Sequence, residues 1–247
     1  MKTKLAITDL TRMQRGSVCI AGYDKDGICF RPILPPPGIK ETSLFVDGQP
    51  IIFPFAVVEY DLTYPRPQPP HTEDHDYDAT SIRFFRRVRA ENRERLLSLS
   101  LFESIESIFE QAIHDDWGYY VMDGVGPRSI GTVLPQDIAE VKYEKDTSGK
   151  WDYRLRFVDG VGRNYRLKIT DLTWHYYCDS LRDEQNQPTE IALSLTQMLQ
   201  TRKVYLRIGL SRGWAEYPER CYLQVNAIHT FPDYLSGMTF ADFRSVG

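Results

Sequence analysis

Short runs of β-branched and aromatic residues, separated by turn-forming residues, are the feature that most limits the folds open to this chain. Residues 17–23 and 28–34 are two such runs, and the DKDG between them supplies a turn in which Gly27 can take a positive φ. Later runs are IIFPFAVVEYDLTY, KVYLRIGLS and CYLQVNAIHTF. Strands at spacings of roughly 8–12 residues favour a sandwich or barrel over a βαβ array.

The strand runs form two series with helical sequence between them. ATSIRFFRRVRAENRERLL predicts one helix, and LFESIESIFEQAI predicts a second that a capping box of Ser100 and Glu103 would open. A second strand series begins near Asp137 and includes a short predicted helix over residues 189–200. This order predicts a mainly β protein of two successive small barrels with inserted helices, residues 1–130 and residues 131–247.

Charge and cysteine content narrow the classes of function. The formal net charge is −4, so a protein that coats DNA regardless of sequence is excluded, and any nucleic-acid contact needs a local patch. No stretch has the length of a membrane span, and no signal peptide is apparent, so we expect no membrane partner. The four cysteines form no CxxC pair, which predicts free thiols and a cytoplasmic location. A Cys19–Cys29 bridge across the hairpin is the alternative.

The familiar catalytic signatures are missing from the sequence: there is no G-x-x-x-x-G-K-[ST], G-x-S-x-G, H-E-x-x-H or G-x-G-x-x-G. The best metal candidate is HTEDHDYD, in which His71, Asp74, His75 and Asp76 offer ligands. It lies in a Pro-rich polar stretch that predicts a flexible loop, a poor cage for an ion. We therefore predict no catalytic residue, no metal and no cofactor, with a metal-dependent hydrolase or nucleotide-processing enzyme as an alternative.

The densest basic run falls in the first predicted helix. Glu91 and Glu94 interrupt it, and a solvated helix face with i, i+4 pairs such as Glu91–Arg95 is the favoured interpretation. The alternative is a face that contacts phosphate or docks a protein. The arginines of this run are Arg83, Arg86, Arg87, Arg89, Arg93 and Arg95.

The last two predicted strands carry a more specific pattern. Alternation turns Leu206, Ile208 and Leu210 toward the core, so Tyr205 and Arg207 are expected to face outward. The loop sequence SRGW follows, and the next strand alternates again. The outward positions and loop residues are Tyr205, Arg207, Arg212, Trp214, Tyr222, Gln224 and Asn226.

This outward set has the chemistry that single-stranded nucleic acid requires. Arginines neutralise phosphates, aromatic rings stack on bases, and amides read base edges. The structural alternative is that Trp214 plugs the end of a barrel and Gln224 caps a backbone group. The two interpretations are evenly balanced on the sequence alone.

Arg31 stands alone among apolar residues in the strand over residues 28–34. Alternation puts it on the same face as Cys29 and Ile33. It is either a structural arginine, paired with Asp24, Asp26 or a carboxylate in a neighbouring strand, or a residue facing a ligand groove between the two halves of the chain.

RGSVCIAGYDKDGICFRPI near the N terminus and YLRIGLSRGW…CYLQVNAIHTFPDYL near the C terminus resemble the dual OB-containing domain family of prokaryotes. The resemblance covers nearly the whole chain and implies two successive OB-like barrels, no cofactor, and a role in nucleic-acid sensing among conflict and defence genes. It also implies that Arg31, Arg212 and Trp214 lie at family motif positions.

Taken together, these features predict a non-catalytic module that binds single-stranded or locally unpaired nucleic acid, a sensor or adaptor in a prokaryotic antiviral defence system. The alternative to a nucleic-acid partner is a protein-interaction subunit that docks a larger effector. The predicted nucleic-acid-binding residues are Arg31, Arg207, Arg212, Trp214, Tyr222 and Gln224.

Overall fold

Two sheets of similar construction make up the protein. The computed structural model describes residues 1–182 and 187–244. The strands of the first sheet and its small hairpin are β1 (Lys2–Arg12), β2 (Val18–Tyr23), β3 (Cys29–Ile33), β4 (Phe45–Val46), β5 (Gln49–Pro50), β6 (Ala56–Pro65), β7 (Asp74–Tyr77) and β8 (Arg83–Arg87).

The first sheet closes into a five-stranded barrel. Its order is β1-β2-β3-β7-β6, and β1 pairs with β6 through Lys2–Ala6 and with β2 through Ala6–Arg12. A register shift between Ile7 and Asp9 bends β1, which lets one strand serve both neighbours. Only β3 and β7 pair in parallel. This is the Greek-key arrangement of an OB barrel, and β8 extends it on the outer side of β6.

The Pro-rich polar stretch is not the flexible loop that its composition predicts. Asp74–Tyr77 forms β7, which lies between β3 and β6 and completes the first barrel. Backbone hydrogen bonds to a strand on each side hold this segment extended, and its local sequence pattern does not indicate them. His71, Glu73 and Asp74 are consequently buried.

The helical connection is shorter than predicted. Residues 83–87 form strand β8 because they pair with the exposed edge of β6, so only Ala90–Leu97 is helical, as α1. The second helix, α2 (Ile105–Phe109), begins at a capping box of Ser104 and Ser107, not of Ser100 and Glu103. The short strands of this region are β9 (Leu101–Phe102), β10 (His114–Asp115) and β11 (Tyr119–Met122).

The second half repeats the order of the first. Its elements are β12 (Ile130–Val133), β13 (Asp137–Lys145), β14 (Trp151–Val158), β15 (Asn164–Ile169), α3 (Leu172–Ser180), α4 (Pro188–Gln200), β16 (Lys203–Leu210) and β17 (Arg220–Phe231). Short 3-10 helices occupy Gln14–Gly16, Glu41–Leu44, Ser98–Ser100 and Phe240–Phe243.

In the second barrel, two separate strands, β12 and β13, take the place of the first strand. β13 pairs with β14, β14 with β15, β15 in parallel with β17, and β17 with β16. β12 pairs with β16, as the first half of β1 pairs with β6, so β12 and β13 together correspond to β1. The helices α3 and α4 lie between the third and fourth strands, and the predicted helix over residues 189–200 is confirmed as α4.

Strand alternation holds in the second barrel, where Leu155, Phe157, Leu167 and Ile169 enter the core. After β15 the chain forms the helix α3, and Asp171 caps its N terminus by accepting hydrogen bonds from the amides of Thr173 and Trp174. All four cysteines are free. No helix in the described part of the chain is long and apolar enough to cross a membrane.

Candidate nucleic-acid interface

Arg207 is buried, and the expectation that Tyr205 and Arg207 are exposed is wrong. Arg207 has no accessible surface and its Nε lies 3.0 and 3.1 Å from the two carboxylate oxygens of Asp9 on β1. Its Nη1 donates to Tyr23 and Thr132. Burial lowers the pKa of Arg207, but the carboxylate of Asp9 offsets that effect and raises it, so the guanidinium stays charged.

The outer face of β16 is covered by the first barrel. Tyr205 packs in a cluster with Tyr23, Phe55 and Leu97, all from the first half of the chain. Alternation correctly separates the two faces of β16, but the outward face packs against the first barrel and not against solvent. Arg207 therefore joins the barrels and cannot contact a ligand.

Asp74 joins Arg31 to Arg212. The Nε of Arg31 lies 2.5 Å from Asp74 Oδ1, and Arg212 from the second barrel donates to Asp74 Oδ2. Asp74 is the carboxylate in a neighbouring strand that the structural interpretation of Arg31 required. Arg31 is buried between the barrels, whereas the Arg212 side chain is 48% exposed. The Nη2 of Arg31 has no hydrogen-bond partner among the described residues.

The loop over residues 211–219, between the fourth and fifth strands of the second barrel, has a defined shape. Ser211 and Tyr222 exchange two hydrogen bonds at its base, and the amide of Tyr217 donates to the carbonyl of Trp214 at 3.0 Å. Gly213 is required because a Cβ there would lie 2.0 Å from the carbonyl oxygen of Pro218. The loop presents Trp214 with 57% of its surface exposed, so Trp214 does not plug the barrel.

Aromatic rings surround this loop. Trp214 contacts Tyr222 edge-on at 5.7 Å between ring centroids and Tyr217 at 6.5 Å, and Tyr222 lies 5.6 Å from Tyr120. The guanidinium of Arg220 lies 4.6 Å from the rings of Tyr120 and Tyr217. We call Tyr120, Trp214, Tyr217, Arg220 and Tyr222 the aromatic patch.

Beside the aromatic patch lies a strip of cations. β14 and β15 turn alternate residues outward, and their register sets Arg154 opposite Lys168 and Arg156 opposite Arg166. Lys168 in turn pairs with Gln224 on β17, two residues from Tyr222. We call Arg154, Arg156, Arg166 and Lys168 the basic face.

Of the residues predicted to bind nucleic acid, Arg212, Trp214, Tyr222 and Gln224 are accessible and lie close together along one loop and strand. Neither the basic face nor Tyr120 and Arg220 of the aromatic patch were predicted from the sequence. The alternating cations of DYRLRF and NYRLKI carry a signal that could have located the basic face. The run from Arg83 to Arg95 is divided between β8 and α1, so it does not form one helix face.

The four ligands proposed in HTEDHDYD do not converge. Asp74 pairs with Arg31, the His75 ring lies 4.9 Å from that of Phe30, and Asp76 accepts from Arg66 at 2.7 Å. His71 instead lies 4.0 Å from the Sγ of Cys221. Burial, with Arg31 and Arg212 nearby, lowers the pKa of His71 to about 2, against the opposing effect of the Ser211 main chain.

A family profile described as the dual OB-containing domain matches residues 10–228, nearly the whole chain. None of the curated proteins matches the chain.

Proposed function

Because the chain belongs to the dual OB-containing domain family, we propose that it is a non-catalytic module that binds single-stranded or locally unpaired nucleic acid. One observation carries the proposal: an exposed tryptophan and a half-exposed arginine, Trp214 and Arg212, stand on the loop between the fourth and fifth strands, next to the basic face. OB barrels bind oligonucleotides through this loop and the outer face of strands two and three.

The bound strand would run from the aromatic patch to the basic face. Trp214 and Tyr222 offer rings for bases, Gln224 offers an amide to a base edge, and Lys168 begins the line of phosphate contacts. The protein has a net charge of −4, so attraction to phosphates requires a local patch of positive charge, and the four cations on two adjacent strands form one.

Arg212 is the phosphate contact that we place at the centre of this path. Asp74 accepts from both Arg31 and Arg212, so Arg31 keeps the carboxylate neutralised when Arg212 turns toward a phosphate. Arg31 thereby acts as a positioning residue behind the surface. Arg207 is excluded from the interface by its burial.

We further propose, from family membership, that the module acts as a sensor or adaptor in a prokaryotic defence system. An effector partner would then dock away from the aromatic patch, so that the bound strand and the effector are held together. Failure of the wild-type protein to bind any oligonucleotide would favour the alternative of a protein-docking subunit.

The test is fluorescence anisotropy with labelled single-stranded DNA and RNA, measured across a range of salt concentrations. Trp214→Ala should weaken binding by about 1–3 kcal/mol, because one stacking contact is lost. Arg212→Ala should weaken it and reduce the slope of log K against log salt by about 0.7, one phosphate contact on a single strand.

Two variants on the first barrel serve as matched controls. Phe85 is an aromatic residue exposed to 56%, close to the exposure of Trp214, and Arg86 is an exposed arginine on β8. Phe85→Ala and Arg86→Ala should leave affinity and salt slope unchanged. Equal losses from these controls and from the Trp214 and Arg212 variants would contradict an interface on the second barrel.

A further inference from the structure

His71, Asp123 and Cys221 bring three metal-binding side chains together from three separate elements. His71 precedes β7 in the first barrel, Asp123 follows β11, and Cys221 lies at the start of β17. The Nε2 of His71 is 4.0 Å from the Sγ of Cys221, which is 3.4 Å from Asp123 Oδ1. All three ligand atoms lie within 4.8 Å of one another.

The donor set and its spacing fit zinc. Zinc binds thiolate, imidazole and carboxylate in tetrahedral sites, with metal–ligand distances that put neighbouring ligand atoms roughly 3.5 Å apart. Imidazole nitrogen and thiolate sulfur disfavour magnesium and calcium, which prefer oxygen ligands. The 3.4 Å between Cys221 Sγ and Asp123 Oδ1 already matches this spacing, and the 4.0 Å between His71 Nε2 and Cys221 Sγ is slightly longer.

The hydrogen bonding of His71 is incomplete without an ion. Its side chain is 1% exposed, its Nδ1 has no hydrogen-bond partner among the described residues, and its Nε2 lies 4.0 Å from the sulfur of Cys221. A buried ring whose hydrogen bonding is incomplete is costly, and ligation through Nε2 gives one of its two nitrogens a strong partner. Asp123 is exposed, which leaves a route for an ion to enter.

We propose that His71, Asp123 and Cys221 bind one Zn²⁺ ion at the junction of the two barrels. Ligation displaces the thiol proton of Cys221 to solvent and leaves a thiolate on the metal. The neighbouring cations Arg31 and Arg212 are both paired with Asp74, which limits their repulsion of the ion. The ion ties the segment before β7 to the strand that carries Tyr222, directly behind the aromatic patch.

This site departs from the metal-free interpretation of the sequence. HTEDHDYD supplies only His71, and the sulfur ligand lies 150 residues further along the chain. The candidates grouped by sequence were neighbours in the chain, whereas the closed barrels bring together residues that no spacing pattern connects.

The experiment titrates the full-length protein, stripped of metal, with Co²⁺ as the spectroscopic probe and then with Zn²⁺ as competitor. We expect a sulfur-to-cobalt charge-transfer band that saturates at one equivalent and disappears when Zn²⁺ is added. Asp123→Asn and His71→Gln should weaken Zn²⁺ binding more than the roughly 10–100-fold typical of outer-shell changes. Cys221→Ser should abolish the band.

Cys19→Ser is the matched thiol control and should keep the band, since Cys19 lies on β2 in the first barrel. Circular dichroism establishes that each variant is folded, and Asp123→Asn at an exposed position keeps the test decisive if Cys221→Ser does not fold. A wild-type protein with no charge-transfer band at saturating Co²⁺ would overturn the proposal. A band unchanged by Cys221→Ser, or Zn²⁺ affinity unchanged by Asp123→Asn, would do the same.

Discussion

At the residue scale, a buried ion pair joins the two barrels. Arg207 from β16 reaches across the junction to Asp9 on β1, and both side chains are at most 1% exposed. The hydroxyls of Tyr23 and Thr132 accept two further hydrogen bonds, so most of the guanidinium is partnered. Such an arrangement makes the loss of one member costly, because the other charge stays buried without its counterion.

Arg207→Leu should therefore lower the free energy of unfolding by about 3–5 kcal/mol. The double variant Asp9→Leu with Arg207→Leu should recover much of this loss, since no isolated charge remains. Arg154→Leu is the control, because Arg154 pairs with Asp152 at the surface, where such pairs contribute about 0–1 kcal/mol. Urea denaturation measures all three, and equal losses for Arg207→Leu and Arg154→Leu would contradict a structural role for the buried pair.

His175 gives the protein a pH dependence. It is buried in α3, stacks on Tyr153 at 3.8 Å and donates from Nε2 to the carbonyl of Ile169. Burial, helped by Arg12 and Lys168, lowers its pKa to about 3. Between pH 6.5 and 3 the unfolded chain binds a proton that the folded protein does not, so stability falls as the pH falls through this window.

We expect His175→Gln to flatten the dependence of unfolding free energy on pH below 6.5 by up to about 1.4 kcal/mol per pH unit, the contribution of one proton. Urea midpoints at pH 7, 6 and 5 measure it. Trp214→Ala, at an exposed position without a titratable group, should leave the slope as it is in the wild type. A wild-type slope in His175→Gln would show that this histidine is protonated in the folded state.

At the element scale, β14 and β15 place like charges opposite one another. Arg156 faces Arg166 on β15 and Glu140 on β13, whereas Arg154 faces Lys168 and donates to Asp152 at 2.7 Å. Like charges directly opposed across strands are destabilising. Two pairs of like charges on one face, Arg156 with Arg166 and Arg154 with Lys168, are consistent with a surface that meets an anion.

Arg166→Glu should stabilise the protein by about 0.2–1 kcal/mol, since it replaces a repulsive cross-strand pair with an attractive one. The same change should weaken oligonucleotide binding and lower its salt dependence. Arg86→Glu makes the same change in charge on β8, opposite Val57, and should do neither. Arg166→Glu that raises the thermal midpoint and leaves binding intact would remove the basic face from the interface.

At the scale of the whole molecule, the barrels share polar contacts that neither could satisfy alone. Asp9 meets Arg207, Asp74 meets Arg212, and both carboxylate oxygens of Glu73 accept from Ser129 at 2.8 Å. β9 also pairs with β12, which ties the helical connection to the second sheet. The division of the chain at residue 130 stays a prediction, and such a division would separate Asp9 from Arg207 and Asp74 from Arg212.

Coupling of this kind predicts one cooperative unfolding transition for the two barrels. Calorimetry should give equal van't Hoff and calorimetric enthalpies. Trp214→Ala, at an exposed position, should keep the single transition, whereas Asp9→Leu should lower its midpoint. Two resolved transitions in the wild-type protein would contradict the coupling.

Much of the architecture could be predicted from local pattern. The hairpin of β2 and β3, the alternating strands β14 and β15, the helix α4 and the loop that carries Trp214 all follow from periodicity and turn chemistry. These signals are local because a strand that buries one face carries an apolar residue at every second position. Residues 74–77 and 83–87 escaped prediction because their strand conformation depends on neighbours distant in sequence.

By itself, the sequence determined the class of fold, the loop that carries Arg212 and Trp214, and the exclusion of an overall basic surface. The tertiary structure alone decided which outward faces meet water. Arg207 and Tyr205 lie on the outer face of β16, yet the first barrel covers them, whereas Trp214 stays exposed. The physical reason is that alternation specifies two faces of a strand and carries no information about a partner packed against either one. The contacts of Arg31 with Asp74 and of His71 with Cys221 likewise depend on barrel closure and packing, which bring together residues far apart in the chain.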